Sequence, residues 1–231
     1  MFDKIRAEYL IGKVDVKQNE LEGRGFTVKL DVSKEAIKCV LVAKADITMK
    51  SFEIETKKDF DDDDLFFANG YQAWTTSREF SKHDTFKGLI KAAGINKFLK
   101  HFAGLSGDYH FESYGEEGKF HSYTYCYFRE KGEREIKLYG SKHERTGFTI
   151  FAVDMKGEKF IIRKDVEGLS LKAGQEYEIF DIAIIKGDMD DVMVHYYTRI
   201  HYSITQQVLH SQLRFTVRSL QRRFVLWALC S

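Results

Sequence analysis

The residues best suited to chemistry lie in one short block, Asn69-Gly70-Tyr71-Gln72-Ala73-Trp74, with Ser77, Arg78 and Glu79 close behind. Tyr and Trp offer flat apolar faces, while Gln and Arg offer directed donors. That mixture suits a sugar, whose apolar ring face stacks on an aromatic while its hydroxyls pair with amides and charged groups. Trp74, Tyr71, Gln72 and Arg78 are the candidate ligand-binding residues. Each also has a plainer reading. Asn-Gly tolerates positive φ and marks a hairpin turn, so Tyr71 and Trp74 can equally be core aromatics beyond that turn. Arg78 and Glu79 read as pocket rim or as a surface ion pair, and the ion pair is favoured.

Other constellations are poorer. The run Asp61 to Asp64 suggests calcium, but it lacks the glycine and terminal glutamate of an EF-hand loop and reads as a solvated acidic loop. The eight histidines show neither H-x-x-x-H nor H-E-x-x-H spacing. The three cysteines, Cys39, Cys126 and Cys230, are odd in number and show no C-x-x-C pair, which argues against a zinc site or a disulfide framework. No metal and no cofactor is expected. Cys39 and Cys126 fall in apolar strand patterns and read as inert core residues. Tyr123, Tyr125 and Tyr127 alternate within Phe120–Arg129 and are expected to share one face of one strand. Such a ladder can stack on a glycan, but packing is the favoured reading.

The elements that must position these residues are strands. Phe26, Val28, Leu30 and Val32 alternate with Thr27, Lys29 and Asp31 after a Gly23-Arg24-Gly25 turn. Ile37 to Ala43 is a more continuous apolar run, expected to be buried on both faces. Ile47, Met49, Phe52 and Ile54 continue, with a bulge expected near Ser51. Beyond Gly107 come further strands over 109–113, 120–129, 136–139, 148–153, 159–163, 169–171 and 177–185, separated by turns containing Gly115, Gly118, Gly132, Gly157, Gly168 and Gly174. Strands at this spacing predict an all-β fold, a large antiparallel β-sandwich. Two stretches break the rhythm. Residues 84–103 have helical spacing, with Asp84 as N-cap, and form a short helical insertion. Met189, Val192, Met193, Tyr196, Tyr197 and Ile200 predict a C-terminal helix whose N-terminus carries Asp188, Asp190 and Asp191.

Composition narrows the class further. The chain has 231 residues, 43% hydrophobic and 31% charged, enough for one large folded domain. Aromatics at 14% favour sheet. A net charge of +1 argues against nucleic acid as the partner. No 18-residue apolar run and no signal-like N-terminus is present, so neither a membrane span nor export is expected, and a reducing cytoplasm fits.

Four blocks in order carry a family resemblance: N-G-Y-Q-A-W at 69–74 with Ser77-Arg78-Glu79, G-D-Y-H-F at 107–111, H-S-Y-T-Y-C-Y-F-R at 121–129, and G-F-T-I-F at 147–151. They resemble the N-terminal domain of glycoside hydrolase family 36, the bacterial α-galactosidases. Ala73 stands where the family usually has Ser. The resemblance covers about residues 1 to 203 and implies a supersandwich domain. It also implies that catalysis belongs to a following (β/α)8 barrel, which takes about 250 residues. A retaining glycosidase needs two carboxylates about 5–5.5 Å apart, and the family draws both from the barrel. This chain is therefore expected to carry no catalytic residue. By the same resemblance the 69–74 block lies towards the mouth of the sugar pocket or faces a neighbouring subunit. The implied partners are a galactose-containing oligosaccharide of the melibiose or raffinose type and a second copy of the chain.

Residues 204–231 change character. Up to Asp191 the sequence has 24 Lys and 7 Arg; after it there are 0 Lys, 5 Arg and no acid. The segment reads either as a basic amphipathic helix, with Leu209, Leu213, Val217, Leu220 and Phe224 three or four apart, or as an aberrant extension from another reading frame. The second is favoured, giving a domain at 1–203 and a tail at 204–231.

Overall fold

Period-2 alternation and turn glycines together set the strand boundaries. The computed structural model describes residues 4–9, 12–16, 20–23, 25–70, 77–85 and 115–201. In chain order the strands are β1 (Lys4–Tyr9), β2 (Gly12–Val16), β3 (Glu20–Gly23), β4 (Phe26–Val32), β5 (Ala36–Ala43), β6 (Ile47–Lys57), β7 (Asp64–Ala68), β8 (Arg78–Phe80), β9 (Lys119–Tyr123), β10 (Tyr125–Glu130), β11 (Glu135–Ser141), β12 (Phe148–Asp154), β13 (Lys159–Leu171) and β14 (Glu176–Asp188). They form a six-stranded sheet, β2-β1-β6-β13-β12-β9, and an eight-stranded sheet, β3-β4-β5-β14-β11-β10-β7-β8. The pairings are antiparallel, so the fold is the all-β sandwich expected.

Aromatic contacts join the two sheets. Phe52 meets Phe180 at 5.9 Å, Phe80 stacks on Phe120 at 4.5 Å, and Phe128 meets Phe160 edge-on at 5.2 Å. Each pair takes one residue from each sheet. Around them Ile37, Cys39, Leu41, Ile54, Phe66, Phe151 and Ile162 are fully buried. Such packing of large side chains is the main stabilising term of the sandwich.

Several local expectations are met. Gly25 and Gly132 adopt positive φ in the turns before β4 and β11. The bulge near Ser51 is present: on both neighbours of β6 the register jumps from Ser51 to Met49, passing over Lys50. Others are corrected. β5 buries one face only, since Val40 and Val42 are half-buried and Lys38 is exposed. Gly168 does not separate two strands. It lies inside β13 with φ of 77°, where the register against β6 slips between Asp165 and Leu169. A glycine in the left-handed region absorbs the extra residues of a bulge without breaking the strand.

The predicted insertion at 84–103 lies outside the described residues from 86 onward, and so does the tail at 204–231. The helix that Asp84 is expected to cap lies outside the described residues; the Asp84 carboxylate turns back to Ser81. Its Oδ2 accepts hydrogen bonds from Ser81 N at 2.8 Å and Ser81 Oγ at 3.0 Å.

By contacts the chain divides into two compact units, Met1–Met189 and Asp190–Ser231. The described part of the second is a helix, α1 (Met189–His195), continued by a wider π-helical turn over Tyr196–His201. Asp190 and Asp191 occupy its first turn, as the helix dipole favours. Its buried stripe is narrower than predicted: Val192 and Tyr196 are buried, whereas Tyr197 is exposed. Among the described residues no helix is long and apolar enough to cross a membrane.

Candidate functional site

The block that opened the sequence argument sits between β7 and β8. These strands pair antiparallel, Phe66 with Phe80, Phe67 with Glu79 and Ala68 with Arg78. Asn69 and Gly70 follow β7, and Ser77 precedes β8. Tyr71, Gln72 and Trp74 lie outside the described residues. The loop's ends are described and pinned. Asn69 N donates to Ser122 Oγ at 2.7 Å, Asn69 Nδ2 donates to Tyr123 O at 2.9 Å, and Gly70 N donates to Ser77 Oγ at 2.9 Å.

Arg78 and Glu79 do not form the predicted ion pair. Neighbours on a strand point to opposite faces, and each finds another partner. Arg78 lies over the Phe80 ring at 4.2 Å and reaches Asp84 Oδ1 at 3.5 Å. Glu79, on the other face, accepts from Tyr127 Oη at 2.9 Å and from Nε and Nη2 of Arg129. Burial alone would raise the Glu79 carboxyl; the bonds from Arg129 and Tyr127 outweigh it and hold it below its usual range. The Tyr127 hydroxyl is pushed up, by burial first and then by Glu79.

A pH-dependent contribution follows. The folded carboxyl is depressed, so its stabilisation is complete above the unfolded value of about 4.3 and is lost as pH falls through the folded value. Glu79→Gln is expected to lose about 1.5–3 kcal/mol at pH 7, the range for hydrogen bonds to a charged group. Urea unfolding at stepped pH should show the gap from the parent closing on acidification. A gap unchanged down to the acid limit would mean the carboxylate charge is immaterial.

The three tyrosines do not form a single ladder. Thr124, with φ of 68°, ends β9 and starts β10, and the chain crosses there from the six-stranded to the eight-stranded sheet. Tyr123 stays on the first sheet, edge-on to His121 at 5.6 Å. Tyr125 and Tyr127 lie on the second, flanking Phe67 at 5.8 and 4.7 Å with near-parallel rings. At 3%, 7% and 6% exposure the three give no open stacking platform, and the packing reading is the one that fits.

Two further places gather polar side chains. Across β4, β5 and β14 an open groove is lined by Lys29, Asp31, Lys38, Val40, Val42 and Glu176, and it presents no aromatic face. At the end of β11, His143, Glu178 and Asp181 bring ligand-type atoms within 4.8 Å of one another. Sequence spacing did not show this cluster, because strand pairing assembles it. Its charges are already met. Glu178 takes His143 Nε2 at 2.6 Å and Lys38 at 3.6 Å, and Asp181 takes Lys142 at 2.7 Å. The imidazole's other nitrogen, Nδ1, is buried with no hydrogen-bond partner among the described residues. A metal-bound histidine normally donates from that second nitrogen to a carboxylate or carbonyl. The donor set therefore fits an ion-pair cluster better than a metal.

The acidic loop is folded back on itself. Asp61 N donates to Asp64 Oδ2 at 2.9 Å, and Asp62 takes Lys82 at 2.6 Å and His83 at 3.1 Å. Cys39 and Cys126 are free thiols at 0% exposure, raised by burial and unreactive. No protein-family model matches the sequence, and no curated protein matches it.

Proposed function

We propose that this chain is a non-catalytic β-sandwich domain of the α-galactosidase type, akin to the N-terminal domain of glycoside hydrolase family 36, and that it contacts galactose-terminated oligosaccharides through loop 69–77. The observation that carries this reading is the loop itself. The block whose residue types suit a sugar leaves the sheet between ends tied by Asn69, Ser122 and Ser77.

Calorimetric titration with galactose, melibiose and raffinose tests it. Saturable heat at millimolar sugar, abolished by Trp74→Ala, is expected; no heat with any of the three would refute sugar contact. The non-catalytic part has its own test. Turnover of an aryl α-galactoside that disappears on mutating a carboxylate of this chain would overturn it. The reading also carries self-association and a cytoplasmic setting, the latter supported by buried free thiols suited to a reducing compartment. Sedimentation velocity should show a dimer or larger species, and a monomer at all concentrations would count against assembly.

A further inference from the structure

Two adjacent lysines meet opposite surroundings at the end of β6. Lys57, the last residue of the strand, is exposed and pairs with Glu158 Oε2 at 3.0 Å and Asp59 Oδ1 at 3.3 Å. Those two carboxylates, Glu158 first, hold its ammonium above the usual range. Lys58 turns inward and is half-buried. Its Nζ lies 4.5 Å from the ring centroid of Phe60 and 4.9 Å from that of Phe128, rings that are themselves buried. It donates one long hydrogen bond, to Asp59 O at 3.3 Å, and among the described residues no carboxylate forms an ion pair with it.

These surroundings are fixed. Lys58 N donates to Glu158 O at 3.0 Å. Phe128 packs on Phe66 at 5.4 Å and meets Phe160 edge-on at 5.2 Å. Directly opposite Phe128 in the β10–β11 register stands Lys137, whose Nζ lies 5.3 Å from the Tyr139 ring centroid. Tyr139 in turn packs on Phe128 and Phe160. Two ammonium groups therefore share one aromatic cluster. Lysine becomes nucleophilic under the two conditions met here, withdrawal from water into apolar surroundings and a second cation nearby. Withdrawal from water is the larger and pushes the Lys58 ammonium below its usual range. Lys137 adds to it, against the pull of Asp64, Asp59 and Asp61.

We propose that Lys58 is a reactive amine that takes a small aldehyde as an imine, in a seat formed by Phe60, Phe128 and the neighbouring Lys137. The seat favours this class of electrophile. A half-buried amine admits a small partner. Acylation would discharge the nitrogen and end its attraction to the rings, whereas a protonated imine remains a cation over them. In the step, unprotonated Nζ attacks the carbonyl carbon and a C–N bond forms. The two amine hydrogens leave with the carbonyl oxygen as water, and the resulting C=N nitrogen takes a proton from solvent. Nothing is oxidised or reduced.

The test treats the full chain with limiting acetaldehyde and cyanoborohydride, which reduces each iminium to a stable ethylamine. Tandem mass spectrometry then reads the label residue by residue at stepped pH. At pH 7 Lys58 is expected to label on the order of tenfold faster than Lys57, and than Lys172, an exposed lysine paired with Asp46. Lys137→Met, at an exposed position, should slow Lys58 several-fold and move its pH profile upward, with Lys57 and Lys172 unchanged. Labelling of Lys58 no faster than that of Lys57 would overturn the proposal. So would a Lys58 profile indifferent to Lys137→Met.

Discussion

Lys164→Ala is expected to destabilise the sandwich by about 3–5 kcal/mol at pH 7, the cost of leaving one partner of a buried ion pair uncompensated. Lys164 is 1% exposed, on the inner side of β13, and donates to Thr149 Oγ1 at 2.9 Å and Glu144 Oε2 at 3.3 Å. The same Glu144 oxygen accepts from Thr149 N at 2.8 Å, while Oε1 is buried with no hydrogen-bond partner among the described residues. Burial pushes the Glu144 carboxyl up, against the attraction of Lys164, and holds the Lys164 ammonium below its usual range, against the pull of Glu144.

Removing the lysine takes away the charge that keeps Glu144 ionised. The folded carboxyl, already raised, then binds a proton at a pH where the unfolded one does not. The variant's deficit should be full at neutral pH and shrink as pH falls through the raised folded value towards the ordinary one, leaving the cavity term. Urea unfolding of parent and variant at stepped pH reads this directly, and a deficit under about 1 kcal/mol at pH 7 would contradict it. Glu144→Leu with Lys164→Met should recover most of the loss, since a packed apolar pair often equals or exceeds a buried ionic one.

Gly147→Ala is expected to cost roughly 2–5 kcal/mol, adding about 1–2 for a left-handed backbone to about 1–3 for overpacking. Gly147 has φ of 108°, and a Cβ there would collide with the backbone carbonyl of Asp165. That atom cannot swing aside as a side chain can. The neighbouring loop is also held, because Lys142 N donates to Asp181 O at 2.8 Å and Tyr177 Oη donates to Thr146 O. Thermal or urea unfolding checks the value. Gly132→Ala, with comparable φ of 90° but open space around it, should lose only the conformational part. Equal losses at the two positions would show that the collision at Gly147 is relieved by movement.

The sequence made the strands legible wherever alternation and a turn glycine agreed, as from Gly25 through Phe26, Val28 and Leu30. It misled where alternation ran unbroken through a change of sheet. Tyr123 and Tyr125 keep perfect phase, and nothing local marks Thr124 as the crossing, because its φ is imposed by Thr149 and Ser141. Gly168 looked like a terminator because a bulge and a turn ask the same thing of glycine. The 69–79 block announced itself by residue type, yet its anchor did not. Ser122 leaves only one faint trace, a polar residue at the phase where Phe120 marks the core side. The Lys164–Glu144 pair and the His143–Glu178 contact left none. Strand pairing brings those residues together, β13 against β12 and β14 against β11, and it is a property of the assembled sheets.

The pairing of Lys57 with Lys159 at one end of the β6–β13 ladder bears on how the protein is made. At translation rates of about 5–20 residues per second, the ribosome needs roughly 5–20 s to travel from one to the other. Throughout that interval β6 lacks a central neighbour, with the apolar side that carries Phe52 and Ile54 facing whatever is nearby. Contacts this distant along the chain also slow folding itself, towards the millisecond-to-second range and beyond. A nascent strand left waiting is a natural client for a holding chaperone, and the yield of folded protein should depend more on synthesis rate and crowding of nascent chains than on the stability of the finished sandwich.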